Sequence, residues 1–128
     1  MKKTIDVCFS PALFHLYDVT DSIVVVIDIL RATSSMCVAF HHGVKSIVPV
    51  ATVEESLAYR EKGFLVGAER KGEMVEGFDL GNSPFAYMKE TIRDRDVALT
   101  TTNGTQAIQT AKNAKQIVIG SFLNITAL

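Results

Sequence analysis

The sequence predicts an α/β fold in which a mostly parallel sheet is flanked by helices in a layered α/β/α arrangement. Its apolar runs are short and continuous in Val, Ile and Leu, which is typical of strands buried on both faces of a parallel sheet. Helical patterns lie between these runs, and strand–helix–strand repetition at this spacing is typical of α/β crossover units. With 128 residues, 48% of them hydrophobic, residues 1–128 are expected to form a single domain.

Six apolar runs are predicted as strands, at residues 5–9, 23–27, 46–50, 64–66, 97–99 and 116–119. Helices are predicted at residues 34–42, 53–62 and 105–113. Gly43 and Gly63 mark the ends of the first two helices, because glycine readily adopts the left-handed conformation that terminates a helix. Thr52, followed three residues later by Glu55, is typical of a capping box at the start of the second helix.

Residues 71–84 show little periodicity and contain three glycines, which predicts a long loop; long loops in compact domains are often functional. Ser83 and Pro84 then fit the start of a short helix. Residues 120–128 resemble a strand end followed by the first turns of a helix. We therefore expect the chain to be the N-terminal half of a longer protein, with the C-terminal part of the fold missing.

Composition argues against several classes of partner. The formal net charge of -1 provides no basic field for nucleic acid or anionic membranes. The longest apolar run, residues 23–27, is too short to span a bilayer, and the N-terminus lacks the apolar stretch of a secretion signal. Cys8 and Cys37 form neither a disulfide framework nor a metal cluster. We expect a cytoplasmic protein that binds neither nucleic acid nor membrane.

The segment TTNGT at residues 101–105 joins an apolar strand to a helical pattern. Hydroxyl and amide side chains at a helix start accompany unpaired backbone N–H groups, and together they suit an anion such as phosphate. The candidate phosphate-binding residues are Thr102, Asn103, Gly104 and Thr105. The alternative is that Thr102 or Asn103 only caps a surface helix.

Charged residues follow two other predicted strands. Asp28, with Arg31 nearby, follows residues 23–27, and ligands of open α/β sheets gather beyond the carboxyl ends of strands. A carboxylate there is able to hold Mg²⁺, unless Asp28 simply pairs with Arg31. Glu69 and Arg70 follow residues 64–66 and offer a second carboxylate and a cation, unless they form a surface ion pair.

The glycine-rich loop is expected to bring Asn82 and Ser83 to the same carboxyl end of the sheet. A plain turn followed by a helix cap explains these two residues as well. Familiar catalytic motifs are absent from the sequence. No G-x-S-x-G elbow, Walker A sequence, G-x-G-x-x-G fingerprint or zinc-ligand spacing occurs. Leu30 stands where a haloacid-dehalogenase-type phosphatase needs its second carboxylate.

Five segments in this order resemble the 2-phosphosulfolactate phosphatase family: VIDILRATSS at 26–35, GAER at 67–70, EGFDLGNSP at 76–84, TTNGT at 101–105 and GSFLN at 120–124. The resemblance covers nearly the whole chain but about the N-terminal half of a typical member. Where the family commonly has a further glycine after Glu-Arg, this chain has Lys71-Gly72.

The resemblance implies Mg²⁺-dependent hydrolysis of 2-phospho-3-sulfolactate, or a related phospho-acid, to 3-sulfolactate and phosphate in coenzyme M biosynthesis. The roles it suggests are catalytic or metal-binding for Asp28 and Glu69, catalytic for Arg31, and substrate-binding for a larger set. That set is Arg70, Asn82, Ser83, Thr102, Asn103, Gly104, Thr105, Ser121 and Asn124.

Two alternatives remain open at this point. One is a non-catalytic phosphate- or nucleotide-binding module that uses the same helix start without a metal. The other is a fragment that is inactive because catalytic groups lie in the missing half. Since a truncated parallel sheet exposes an edge and apolar surface, we also expect self-association as a homo-oligomer.

Overall fold

The computed structural model describes residues 3–128 and has the α/β fold, with parallel strands flanked by helices. The strands are β1 (Ile23–Ile27), β2 (Ser46–Pro49), β3 (Leu65–Arg70), β4 (Glu73–Met74), β5 (Asp96–Thr100) and β6 (Gln116–Gly120). The α-helices are α1 (Ala32–His41), α2 (Val53–Ala58) and α3 (Gly104–Thr110). Shorter 3-10 segments are Pro11–Leu16, Arg60–Lys62, Pro84–Met88, Glu90–Ile92 and Phe122–Asn124.

The strands form two hydrogen-bonded groups. β1 pairs in parallel with β6, and the second group has the order β2-β5-β3-β4, in which only β4 is antiparallel to its neighbour. Helix α3 packs against β1, β2 and β5 and so connects the two groups. Within each group the carboxyl ends of the parallel strands lie at one edge, which is where the sequence predicts the site.

Five of the six predicted strands are present, but the strand predicted at residues 5–9 is wrong. Ile5 and Phe9 are each 93% exposed, and the segment pairs with no strand in residues 3–128. Apolar character favours a strand only when a neighbouring strand supplies hydrogen bonds and a surface to pack on. β3 also continues to Arg70, four residues beyond its predicted end, so Glu69 and Arg70 belong to the strand itself.

The helices agree with prediction apart from their ends. α1 begins at Ala32, two residues early, and α3 ends at Thr110, three residues before the predicted end. The helix predicted at residues 53–62 is divided into α2 and a 3-10 turn that ends at Gly63, whose φ is +84°. The predicted cap is present, since the backbone N–H of Glu55 donates to the Thr52 hydroxyl at 3.0 Å.

The segment at residues 71–84, predicted as a long loop, begins as a β-hairpin. Lys71 and Gly72 form its turn with φ values of +56° and +84°, and β4 then pairs with the end of β3. Ser83 precedes the 3-10 segment as predicted, but its side chain makes no capping hydrogen bond.

The core lies between α1, β3, β5 and the segment from Leu80 to Ile92. Its buried members are Met36, Ala39, Val44, Leu80, Tyr87, Ile92, Val97 and Leu99. β1 was predicted to be buried on both faces, but one face is open to solvent. On that face Ile23, Val25 and Ile27 are 62%, 43% and 64% exposed. No helix within residues 3–128 has the length and apolar character needed to cross a membrane.

Candidate active site

Loops at the carboxyl ends of β1, β3 and β5 enclose a polar cleft of about 220 Å³. It is lined by Asp28, Leu30, Arg31, Glu69, Lys71, Gly72, Asn82, Thr102 and Asn103. Six of the residues predicted for the site therefore lie around one cavity, although they come from four separate stretches of the sequence.

Asp28 is held by its backbone, which leaves its side chain available to the cleft. Its N–H donates to the Thr33 hydroxyl at 2.9 Å, and that hydroxyl donates to the Gly120 carbonyl at 2.7 Å. Thr33 is fully buried, so it fixes the end of β1 against the end of β6. Within residues 3–128 the Asp28 carboxylate makes no ion pair and accepts no hydrogen bond, so the alternative pairing with Arg31 does not occur.

Gly104 permits the loop after β5 to approach Asp28 closely. A Cβ atom on Gly104 would lie 3.0 Å from Asp28 Oδ2 and 2.3 Å from the Cβ of Ala32. Neither distance leaves room for a side chain. The absence of a side chain at Gly104 thus allows the bend at Asn103–Gly104 (the Asn-Gly bend) and the Asp28 carboxylate to lie close together at the cleft.

Glu69 connects two walls of the cleft. Its carboxylate accepts hydrogen bonds from the Gly72 N–H at 2.6 Å, from the Thr102 N–H at 3.1 Å and from the Thr102 hydroxyl at 3.0 Å. Burial opposes its ionisation, but these bonds and the nearby Arg70 outweigh that effect and lower the pKa of Glu69 below its ordinary value. Glu69 is therefore a carboxylate at neutral pH, with most of its acceptor capacity occupied by the protein.

Arg31 supports the same hairpin turn from the opposite side, because its Nη2 donates to the Gly72 carbonyl at 2.7 Å. Both polar backbone groups of Gly72 are therefore bound, one by Glu69 and the other by Arg31. The guanidinium has further N–H groups that are able to bind an anion in the cleft.

Asn82 carries a polar atom that the protein leaves unsatisfied. Its side chain lines the cleft and the residue is 5% exposed, yet Oδ1 is buried without a hydrogen-bond partner in the described part of the chain. Its backbone carbonyl accepts from the Ser35 hydroxyl at 2.7 Å, which fixes its position. Buried polar groups are nearly always paired, so an unpaired amide beside a cleft indicates a place for a ligand.

The loop before α3 is capped by a residue that the sequence analysis did not single out. Thr101 Oγ1 accepts from the N–H of Thr105, and the Thr105 hydroxyl accepts in turn from the N–H of Thr101. The Asn103 side chain makes no capping bond, and the Thr102 hydroxyl donates to Glu69 instead. The alternative that Thr102 or Asn103 serves only as a cap is therefore not what the structure shows.

Several predicted site residues do not line the cleft. Arg70 follows Glu69 in β3, and because successive side chains of a strand point to opposite faces, its guanidinium binds Thr100 and the Glu69 carbonyl. Thr105 is buried in the cap. Ser121 and Asn124 form hydrogen bonds within the capping box of the last 3-10 turn. Ser83 also lies outside the cleft lining.

Three cleft residues, Leu30, Lys71 and Gly72, are absent from the predicted set. Lys71 and Gly72 belong to a segment that the sequence analysis described only as a loop. A hairpin would have been recognisable there, since glycine at the second turn position between two extended segments is a known signal.

Comparison of the sequence with known proteins shows the family of the chain. The family model for 2-phosphosulpholactate phosphatase matches residues 8–128. The chain belongs to this family. A Thermotoga petrophila protein named "Probable 2-phosphosulfolactate phosphatase" is 47% identical over 104 residues, which is 81% of this chain and 45% of that protein.

Other relatives with the same printed name show a similar coverage. A Clostridium beijerinckii protein of the same printed name is 44% identical over 83% of this chain and 46% of its own length. One from Clostridium novyi is 39% identical over 97% of this chain and 54% of its own length. The chain thus spans about half the length of the curated relatives it matches.

Proposed function

We propose that the cleft forms part of the active site of a Mg²⁺-dependent phosphatase. Its substrate would be 2-phospho-3-sulfolactate or a closely related phosphorylated acid, and its products 3-sulfolactate and phosphate. Family membership and the names of the relatives support this reaction. We further propose that the reaction belongs to coenzyme M biosynthesis and takes place in the cytoplasm.

One observation carries the proposal: the unpaired Asp28 carboxylate lies beside the Asn-Gly bend in a cleft that also contains Arg31 and Lys71. A carboxylate facing a phosphate is repulsive unless a cation lies between them. A site that only binds anions gains nothing from Asp28, whereas a metal-assisted phosphatase needs a carboxylate of this kind.

The donors present fit Mg²⁺ in a particular way. Within residues 3–128, no group of three or more His, Cys, Asp or Glu side chains is able to hold a metal, so an all-protein cage is not formed. Mg²⁺ usually takes one or two carboxylates, and waters and substrate phosphates complete its coordination. Within residues 3–128 the Asp28 carboxylate and the buried Asn82 Oδ1 have no hydrogen-bond partner and are the oxygens that would hold the ion, whereas Glu69 already accepts three hydrogen bonds. When bound, the ion would neutralise charge on the phosphoryl group.

Other residues of the chain would bind and orient the substrate. Arg31 and the side chain of Asn103 bind phosphoryl oxygens, and Glu69 fixes the orientation of Thr102. In the hydrolysis, a water oxygen forms a bond to phosphorus and gives up a proton, the bond from phosphorus to the substrate C2 oxygen breaks, and that oxygen takes up a proton. Most of the catalysis is expected from positioning and charge stabilisation, as in other phosphoryl transfers.

The test is phosphate release from 2-phospho-3-sulfolactate, measured with Mg²⁺ and with EDTA, for the wild-type chain and Asp28→Asn. We expect Mg²⁺-dependent release by the wild type and a loss of at least about a hundredfold in the variant, because several kcal/mol of transition-state stabilisation depend on the metal. Asp21→Asn, an exposed carboxylate outside the cleft, is the matched control and keeps its activity.

A different result identifies the alternative. If the wild-type chain binds phosphate without releasing any, and Asp28→Asn binds it more tightly, the cleft is an anion-binding module and the phosphatase proposal fails for this chain. Parallel assays on a full-length relative show whether groups beyond the matched half are required.

A further inference from the structure

The turn that joins β3 to β4 forms one wall of the cleft and presents Lys71. The pairing of Arg70 with Glu73 makes Lys71 and Gly72 the two central residues of the hairpin. Both have positive φ, as in the mirror-image turns that suit β-hairpins. Residues 71 and 72 also line the cavity.

Lysine is an unusual residue for the first turn position. Such positions favour asparagine, aspartate or glycine, because a larger side chain in the left-handed conformation is sterically unfavourable. Lys71 nevertheless adopts φ +56°. Residues in unfavourable backbone conformations concentrate at ligand-binding sites, where the gain lies in the position of the side chain.

The turn is fixed while its cation remains free. Glu69 binds the Gly72 N–H and Arg31 binds the Gly72 carbonyl, so the backbone of the turn is held from both sides. Lys71 itself is exposed and forms no ion pair and no side-chain hydrogen bond within residues 3–128. A rigid support with a free ammonium group is a suitable arrangement for capturing an anion that arrives from solvent.

The placement of charges in the cleft bears on which anion Lys71 would bind. The carboxylate of Glu69 is occupied by the N–H and O–H groups that donate to it, and Asp28 lies on the side of the Asn103–Gly104 bend. Lys71 lies on the hairpin, a separate wall from the loop at residues 101–105. A substrate that carries a second anionic group besides its phosphate would extend from one wall to the other.

We propose that Lys71 binds the second, non-phosphate anionic group of the substrate, a carboxylate or sulfonate. This inference rests on the proposed function, because it assumes that the ligand is a phosphorylated acid. Lys71 would then distinguish phosphorylated acids from phosphate esters that lack a second charge.

Steady-state kinetics in buffer containing Mg²⁺ test this, with the KM for 2-phospho-3-sulfolactate and the inhibition constant of inorganic phosphate as the two measures of binding. The variant Lys71→Asn removes the charge and suits the turn, so the hairpin is kept. We expect it to bind 2-phospho-3-sulfolactate about tenfold more weakly, the loss of one charged hydrogen bond, and inorganic phosphate equally well. Lys71→Arg should restore binding, and Lys112→Asn, an exposed lysine outside the cleft, should leave both affinities unchanged.

Other results overturn the inference. If Lys71→Asn weakens both ligands equally, Lys71 contacts the phosphate and not a second group. If it weakens neither, Lys71 takes no part in binding. Failure of the wild type itself to hydrolyse 2-phospho-3-sulfolactate would refute the proposed function together with this inference, which separates the two cases.

Discussion

The Asp28 carboxylate and the Gly104 Cα hydrogens are in direct proximity, since a Cβ on Gly104 would lie 3.0 Å from Asp28 Oδ2. The two residues are far apart in sequence: Asp28 directly follows β1, and Gly104 begins α3 after β5, and these two strands belong to different hydrogen-bonded groups. Their contact is therefore a property of the tertiary packing, in which α3 lies against both groups.

Gly104→Ala should damage both stability and ligand binding. The new methyl would lie 2.3 Å from the Cβ of Ala32, and overpacking of this kind costs about 1–3 kcal/mol. Urea unfolding of the variant and the wild type measures the loss. Adding Ala32→Gly removes the closest atom, so the double variant should be more stable than the sum of the two single changes predicts. Strict additivity would contradict the close contact.

Glu69→Gln should destabilise the protein at neutral pH. Glutamine has one acceptor oxygen and an NH₂ group that would face N–H donors, so about 1–3 kcal/mol is expected to be lost. Urea unfolding at pH 7 measures this difference. The exposed Glu73→Gln, in the same hairpin, is the matched control and should change little.

The same pair of proteins should show a pH dependence of known sign. Burial raises the pKa of Glu69, but its hydrogen bonds and the nearby Arg70 lower the pKa by more. The net result is a pKa below the ordinary 4.5. A lowered pKa in the folded state gives stability that is present above the unfolded value and is lost as pH falls through the folded value. The wild type should therefore lose its advantage over Glu69→Gln below about pH 4.5, and a difference that grows with acid would contradict this assignment.

Asn82→Leu should separate stability from binding. Asn82 Oδ1 is buried without a partner in the described chain, so replacing the amide with an apolar group of similar size removes an unsatisfied acceptor. The free energy of unfolding is expected to stay equal or to rise by up to about 1 kcal/mol, while affinity for 2-phospho-3-sulfolactate falls. Parallel unfolding and titration experiments measure the two quantities, and a large loss of stability would show that the amide has a structural partner.

Thr33→Val should loosen the support of Asp28. The Thr33 hydroxyl bridges the part-buried Asp28 N–H and the buried Gly120 carbonyl, and valine leaves both groups without this partner. Each orphaned group costs about 1–3 kcal/mol, so a marked loss of stability is expected by thermal unfolding. Thr33→Ser keeps the hydroxyl and is the control, with most of the stability retained. A larger loss of stability in Thr33→Ser than in Thr33→Val would assign the role to the methyl group.

The sequence was sufficient for the parts of the structure that depend on local pattern. The continuous apolar runs at 23–27 and 97–99 are strands, and Gly63 ends a helical segment with positive φ as predicted. The approach of Glu69 to Thr102 also follows from the rule that parallel strand ends share an edge, because β3 and β5 are parallel neighbours, whereas Asp28 and Asn82 reach the cavity through tertiary packing.

Other features depend on partners that a local pattern does not reveal. Ile5 and Phe9 have strand-like character but no neighbour to pair with in residues 3–128. Arg70 was expected beside Glu69 in the site, yet β3 extends through both residues and turns their side chains to opposite faces. The catalytic and binding roles of the individual residues stay predictions until the variants are measured.

The attachment of Gly72 by its N–H to Glu69 and by its carbonyl to Arg31 means that the walls of the cleft are joined through backbone atoms and not through a carboxylate–guanidinium pair. Dissolved salt screens charge–charge attraction far more than it disturbs such short hydrogen bonds. Raising the ionic strength should therefore weaken the binding of an anion while the shape of the cleft is retained. Affinity and architecture respond to different solution conditions in this molecule.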